Sequence, residues 1–308
     1  MMNRPAPALL VGAVVALAAT ASCARNTSSA AGEHVHPDET RASVTSAAQG
    51  TLQRTTQGTA LPPGAADAAQ RLANSPRHAE WVMVRAGSDS VRAWVVYPER
   101  RERAPVVVVI HEIFGLTSWI RGVADQLAAD GFIAIAPDLL TGKTKIHPDS
   151  AGSDARDVIR TLNPEDVHRQ LAAVGQHGMR LPAALPRYGV VGFCWGGSAS
   201  FQHAVRSPAG LGAAVVYYGS SPESLASLAS VRVPVLGLYG SDDARVNRTV
   251  PPADSAMRAL GKTFEHHTYE GAGHGFLRQQ DGKEGANMAA TRQAWPATLA
   301  FFRRHLGS

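Results

Sequence analysis

The sequence predicts an α/β fold, with a mostly parallel central sheet and helices on both faces. Three observations lead there. From residue 80 onward, short apolar runs alternate with longer amphipathic stretches, the pattern of strand–helix units. Several runs, "VVVVI" at 106–110 among them, are apolar at every position, as a strand covered on both faces must be. The stretch "GFCWGG", 192–197, sets a cysteine among glycines between an apolar run and a helical one. Glycines at such a point allow a sharp turn and close backbone approach.

The elements follow in order. Residues 81–86 and 91–98 alternate apolar with polar and predict an antiparallel hairpin turning at "GSDS", 87–90. "APVVVVIHE", 104–112, is a buried strand. Residues 118–131 have helical spacing and a glycine stop, with Ser118 as N-cap. "FIAIAPDLL", 132–140, is a second buried strand, and 163–178 opens with Asn-Pro and acids, as helices do. A strand at 187–193 leads through the glycine turn into a helix. Strands at 211–219 and 233–241, a helix at 251–262 and a strand at 264–271 complete the alternation. A closing helix at 287–307 is expected to be disturbed at Pro296. The long connection from Thr141 to Asn163, carrying Gly, Pro, Lys and Asp, is expected to cover the site.

The chain has 308 residues, 44% of them hydrophobic and 18% charged, with a formal net charge of +5. Residues 80–308 amount to one domain with a real core. Basic residues are scattered among acids without interleaved aromatics, so no nucleic-acid partner is predicted. Residues 1–23 have the form of a signal peptide: Arg4, the apolar stretch Ala8–Ala21, then a small-residue site at Ala19–Ala21. That stretch is too short to span a bilayer. "TASC", Thr20–Cys23, resembles a lipobox, except that Thr20 stands where Leu, Val or Ile is usual. Two readings stay open: a lipid on Cys23 anchoring the chain to a membrane, or a cleaved and free protein. Either way the chain is expected to be exported, to the periplasm or cell envelope. Residues 24–79, rich in Ala, Ser, Thr and Gly, are expected to be a disordered tether. His34 and His36 within it lack a ligand frame and are not expected to hold a metal.

Only Cys23 and Cys194 occur, so there is no disulfide framework. Exported proteins normally pair their cysteines, and an unpaired one in the folded part invites a chemical explanation. Its turn fits the G-x-nucleophile-x-G elbow, with the required strand before and helix after. The helix N-terminus points partial positive charge at the sulfur and favours thiolate. In α/β-hydrolases the acid and the histidine follow the nucleophile in that order. "LYGSDDARV" ends a strand with two acids, and "EGAGHGF" presents His274 between glycines. Asp243 lies 49 residues after Cys194, and His274 a further 31. Gly240, Asp243 and Val246 fit the pattern G-x-x-D-x-x-V, leaving Asp242 as a solvated turn acid. Glu112, between "VVVVI" and "IFGL", is poorly placed for solvation.

"HEIFGL", "APDLL", "GFCWGG", "YGSDDARV" and "GAGHGF" together resemble the dienelactone hydrolases, the carboxymethylenebutenolidase-type cysteine hydrolases of the α/β-hydrolase fold. The resemblance implies a fold and a set of roles. Cys194 would be the nucleophile, His274 the base and later the acid, and Asp243 the orienter of His274. Glu112 would hold the resting thiol and help generate thiolate. Backbone N–H groups of Ile113 and Trp195 would form the oxyanion hole. Arg278 would bind a substrate carboxylate, and Phe114 is a further candidate for substrate binding. A second substrate-binding arginine, expected after "APDLL", has no clear match; Lys143 or Lys145 would substitute, without the bidentate fork.

Sulfur also bears on the substrate. A thiolate is a good leaving group, so its tetrahedral adduct reverts unless the substrate's own leaving group competes. Enol esters and lactones leave easily, so activated acyl groups are the expected substrates. The expected partner is a small ester or lactone, with no cofactor and no metal, since no H-x-x-x-H or C-x-x-C pair appears. A thioesterase or general carboxylesterase on the same triad is the nearest alternative. A catalytically silent envelope binding protein is the more distant one.

Overall fold

The computed structural model describes residues 60–143 and 153–307. The signal segment, Cys23, His34, His36, most of the expected tether and Lys145 lie outside the described residues. The elements in chain order are α1 (Ala68–Ala73), β1 (Ala79–Ala86), β2 (Asp89–Val96), β3 (Ala104–Ile110), α2 (Ser118–Ala129), β4 (Ile133–Asp138), α3 (Ser153–Arg160), α4 (Pro164–Met179), β5 (Ala184–Phe193), α5 (Trp195–Arg206), β6 (Leu211–Tyr217), β7 (Val235–Asp242), α6 (Ala244–Asn247), α7 (Val250–Ala259), β8 (Phe264–Gly273) and α8 (Ala286–Leu306). Two short 3₁₀ turns, Leu225–Ser230 and Lys283–Gly285, complete them.

The strands form one eight-stranded sheet in the order β1-β2-β4-β3-β5-β6-β7-β8. The pairs β1/β2 and β2/β4 are antiparallel. From β4 onward every pair is parallel. The alternating runs thus became the antiparallel edge and the continuous apolar runs the parallel centre.

Side chains alternate across those central strands. Val107 and Val109 pack on one face with Trp119 and Val123 of α2 and Trp295 and Phe302 of α8. Val106, Val108 and Ile110 face the other way, toward Leu171 and Val174 of α4 and Phe201 of α5. All five residues of β3 from Val106 to Ile110 are fully buried, each worth about 1.5–3 kcal/mol against exposure.

The helix starts follow local chemistry. The Asn163 side chain accepts a hydrogen bond from the Glu165 backbone N–H at 2.8 Å, with Pro164 first in α4 and Glu165 and Asp166 in its first turn. At α2 the N-cap is Thr117, not Ser118, and its backbone is extended while Ser118 is already helical. The disturbance expected at Pro296 does not interrupt the closing helix. The helix α8 runs through it, with Ala294, Trp295, Thr298 and Leu299 buried around the proline, so packing outweighs one lost backbone bond.

One expectation about an irregular segment changes, and a second segment gains an element. Residues 60–79, assigned to the tether, belong to the folded body. Trp119 Nε1 donates to the Pro63 carbonyl at 3.0 Å and Gln280 Nε2 to that of Pro62 at 3.0 Å. Ala68 is fully buried, and Arg77 pairs with Asp125 at 2.5 Å. Few but well-placed apolar groups and polar anchors suffice there. The connection after Thr141 is not all loop either, since it carries α3. Ala155 and Ile159 of α3 pack with Leu140, and Trp195 and Leu162 lie against them.

Candidate active site

Cys194 joins β5 to α5 with φ 55° and ψ −115°, a conformation L-residues rarely adopt. Its neighbours must be glycine. A Cβ on Gly192 would lie 1.9 Å from the Gly196 carbonyl oxygen. One on Gly196 would lie 2.3 Å from that of His111, and one on Gly197 2.5 Å from that of Tyr217. The Cys194 N–H donates to the Tyr217 carbonyl at 3.0 Å, which ties the turn to the end of β6. Cys194 is a free thiol, partly exposed.

The acid and the histidine come from the next two strand ends. Asp243 follows β7 and caps α6, and His274 follows β8. His274 Nδ1 and Asp243 Oδ2 are 2.5 Å apart. Asp243 is buried and His274 lies one-third exposed at the rim. Burial by itself would lower the His274 pKa. Hydrogen bonds to Asp243 and to Cys194 outweigh it and hold the imidazole up at about 9. Asn247 braces the acid's turn by donating from Nδ2 to the carbonyls of Gly240 at 2.8 Å and Ser241 at 3.3 Å. Asp242 points elsewhere, into an exposed ion pair with Lys283.

Glu112 follows β3 in a tight turn, where the Gly115 N–H donates to its carbonyl at 3.2 Å. Its carboxylate is 3% exposed and pairs with Arg278, Nε to Oε2, at 3.0 Å. Burial pushes the Glu112 pKa up to about 7, against the pull of Arg278 and His274. His111 is fully buried, donates from Nδ1 to the Glu112 carbonyl at 2.8 Å, and stacks on Trp195 at 5.6 Å. Burial lowers its pKa, so it stays neutral. These contacts bring the Glu112–Ile113 loop beside the first residue of α5.

Phe114 carries two cations on its ring. The guanidinium carbons of Arg278 and Arg156 each lie 4.9 Å from its centroid. Arg156 belongs to α3 and was missed from sequence; its signal was an arginine inside the connection expected to cover the site. Lys143 is exposed in the turn after β4, and among the described residues Arg156, not Lys143, is the cation that joins Arg278 at Phe114. Tyr218, also missed, sets its ring edge against His274 at 5.2 Å between centroids. A separate cavity of 660 Å³ between α1, α2 and β2, lined by Leu72, Trp94, Arg121 and Asp125, contains none of these residues. Among the described residues no group of three or more His, Cys, Asp or Glu is arranged to hold a metal.

A nucleophile-type elbow between a parallel strand and its helix, with a carboxylate and a histidine on the two following strand ends, defines the α/β-hydrolase class. The family model "Dienelactone hydrolase family" matches residues 91–306. A Salmonella typhimurium protein named as a carboxymethylenebutenolidase is 30% identical over 274 residues, covering 81% of this chain and 98% of that one. A Saccharolobus solfataricus protein of the same name is 28% identical over 70% of this chain and 94% of its own. A Klebsiella pneumoniae crystal structure named as a dienelactone hydrolase superposes with a TM-score of 0.65 and 26% identity, covering 74% of this chain and 99% of that one. The chain belongs to the dienelactone hydrolase family, a hydrolase acting on esters and lactones.

Proposed function

We propose that this protein is an exported cysteine hydrolase that cleaves lactones or activated esters through an acyl-thioester on Cys194. The observation that carries the reading is a partly exposed thiol on a glycine-bounded elbow, with the His274–Asp243 pair on the following strand ends and the buried Glu112 on the loop that His111 sets beside Trp195. Against its burial, His274 is raised to about 9 by Asp243 and by Cys194 itself, so near neutrality it stands as the charged partner of the thiolate and another group is needed as base toward the thiol. Glu112, poised near 7, is the group matched to that task. Its carboxylate takes the Cys194 proton, and the N-terminus of α5 favours the thiolate that results.

The sulfur then attacks the acyl carbon. The backbone N–H groups of Ile113 and Trp195 hold the developing oxyanion. As the C–O bond breaks, His274 gives its proton to the leaving oxygen. Now neutral, it takes a proton from water, and the hydroxide displaces the thiolate from the thioester. Asp243 keeps the imidazole oriented throughout. Arg278 and Arg156 flank Phe114 as a pair of guanidiniums suited to a substrate carboxylate.

The test is a panel of matched esters, thioesters and lactones. Phenyl and enol esters should turn over at least about 100-fold faster than ethyl esters, because only the former out-compete thiolate expulsion. Arg156→Ala should raise KM for carboxylate-bearing substrates and leave neutral phenyl acetate unchanged. Equal rates on phenyl and ethyl esters would contradict the leaving-group argument, and preference for thioesters would reassign the substrate class. Export, with Cys23 lipidated or lost, is tested by the mass of the mature N-terminus.

A further inference from the structure

Tyr218, just past the end of β6, combines two costly features. Its φ is 38°, in the left-handed region that bulky side chains avoid. It is fully buried, and among the described residues its hydroxyl has no hydrogen-bond partner, which carries the desolvation penalty of an unmade bond. The ring explains itself by packing edge-on against His274 and Phe276. Phenylalanine would do that equally well. The hydroxyl is the unexplained part.

The groups that bear on it are Glu112, Cys194, Tyr217 and Arg278; burial first, then Glu112 and Cys194, push its pKa well above the ordinary tyrosine value, so it stays protonated. Most of its surroundings cannot come to meet it. Cys194 is pinned on the elbow by its glycine neighbours, and His274 is tied to Asp243. Glu112 is a side chain held at its carboxylate, among the described residues, by its ion pair to Arg278. It is the carboxyl among these groups, able to accept from the hydroxyl and, once protonated, to donate to it.

We propose that Tyr218 is a positioning residue whose hydroxyl receives the Glu112 carboxyl after that group has taken the Cys194 proton, and holds it off the sulfur. The proposal rests on the Cys194–Glu112 reading above. The S–H bond breaks, its electron pair stays on sulfur, and an O–H bond forms on Glu112, which donates to Tyr218 Oη. Nothing is oxidised or reduced. The hydroxyl's missing partner in the resting protein is thus supplied by the state it serves, and the balance tilts from thiol and carboxylate toward thiolate and acid.

The test is Tyr218→Phe in the full chain, with 4-carboxyphenyl acetate as substrate. The expected result is a kcat about tenfold lower with KM within twofold. The melting temperature should be unchanged or higher, because an unpartnered hydroxyl has been removed. Cys194 alkylation by iodoacetamide, which needs no turnover, should slow by a similar factor. In a Glu112→Gln background the same substitution should change the alkylation rate by less than twofold. A kcat within twofold of wild type overturns the proposal, as does a loss that persists in the Glu112→Gln background or accompanies a melting temperature lowered by several degrees. Cys194→Ala separates the two levels. Its full activity would sink the nucleophile reading itself, whereas its inactivity beside a normal Tyr218→Phe variant would sink only the role of Tyr218.

Discussion

Glu112 is a buried carboxyl whose pKa stands near 7 because burial outweighs the attraction of Arg278 and His274. The unfolded chain releases that proton near the ordinary glutamate value, the folded chain only near 7. Between those values the folded state binds more protons, so stability falls as pH rises through this window. Glu112→Gln, which mimics the neutral acid, should therefore melt like wild type at pH 4 and above it at pH 8. The gain at pH 8 should be on the order of 2 kcal/mol. Thermal melts at the two pH values check this, and equal curves at pH 8 would show that the buried carboxylate costs nothing. At this scale the sequence was informative where a residue broke its local pattern. Glu112 between the apolar run 106–110 and the pair Ile113 and Phe114, and cysteine between glycines, both did so. Arg156 and Tyr218 broke nothing. An arginine in a polar connection and a tyrosine in a run of buried residues look ordinary until the fold brings them to Phe114 and His274.

At the scale of elements, the elbow is the unit that function depends on. Its helix and strand were legible because β5 is apolar at nearly every inward position and the glycines mark the corner. The tightest of its close approaches are backbone to backbone, so no side-chain rearrangement relieves them. Gly196→Ala must push its Cβ away from the His111 and Ile110 carbonyls, at 2.3 and 2.6 Å. The substitution should cost more than about 3 kcal/mol and abolish ester hydrolysis, as read by denaturant unfolding and turnover. A soluble, active Gly196→Ala protein would contradict the packing described. The element that stayed hidden was α3. It is two turns long, within a connection rich in Gly, Pro and Asp, and its apolar positions, Ala155, Val158 and Ile159, with Leu162 just beyond it, keep helical spacing over too short a stretch to stand out from the polar residues around them.

For the whole molecule, the sheet order and the two-faced core follow from patterning that any reader of the chain can see. The N-terminal boundary does not. Residues 60–79 have the composition of a linker, yet Pro62 and Pro63 accept side-chain hydrogen bonds, Ala68 is fully buried, and Ser75 and Arg77 both reach Asp125. Composition averages over a window and misses a segment held by a few specific anchors. A chain beginning at Ala60 should keep the stability of the longer protein. One beginning at Glu80 should lose at least about 3 kcal/mol, because Asp125 and Trp119 are left buried without their partners. Chemical denaturation of the two forms decides it, and equal midpoints would return 60–79 to the tether.

The central claim is that Cys194 carries the acyl group. Acid quenching during turnover of a phenyl ester, followed by mass measurement of the peptides, tests it most directly. The account predicts one acyl group per chain on the Cys194 peptide, released by hydroxylamine, and neither adduct nor turnover in Cys194→Ala. An acyl group on another residue, or a Cys194→Ala variant that hydrolyses the ester at the wild-type rate, would contradict it.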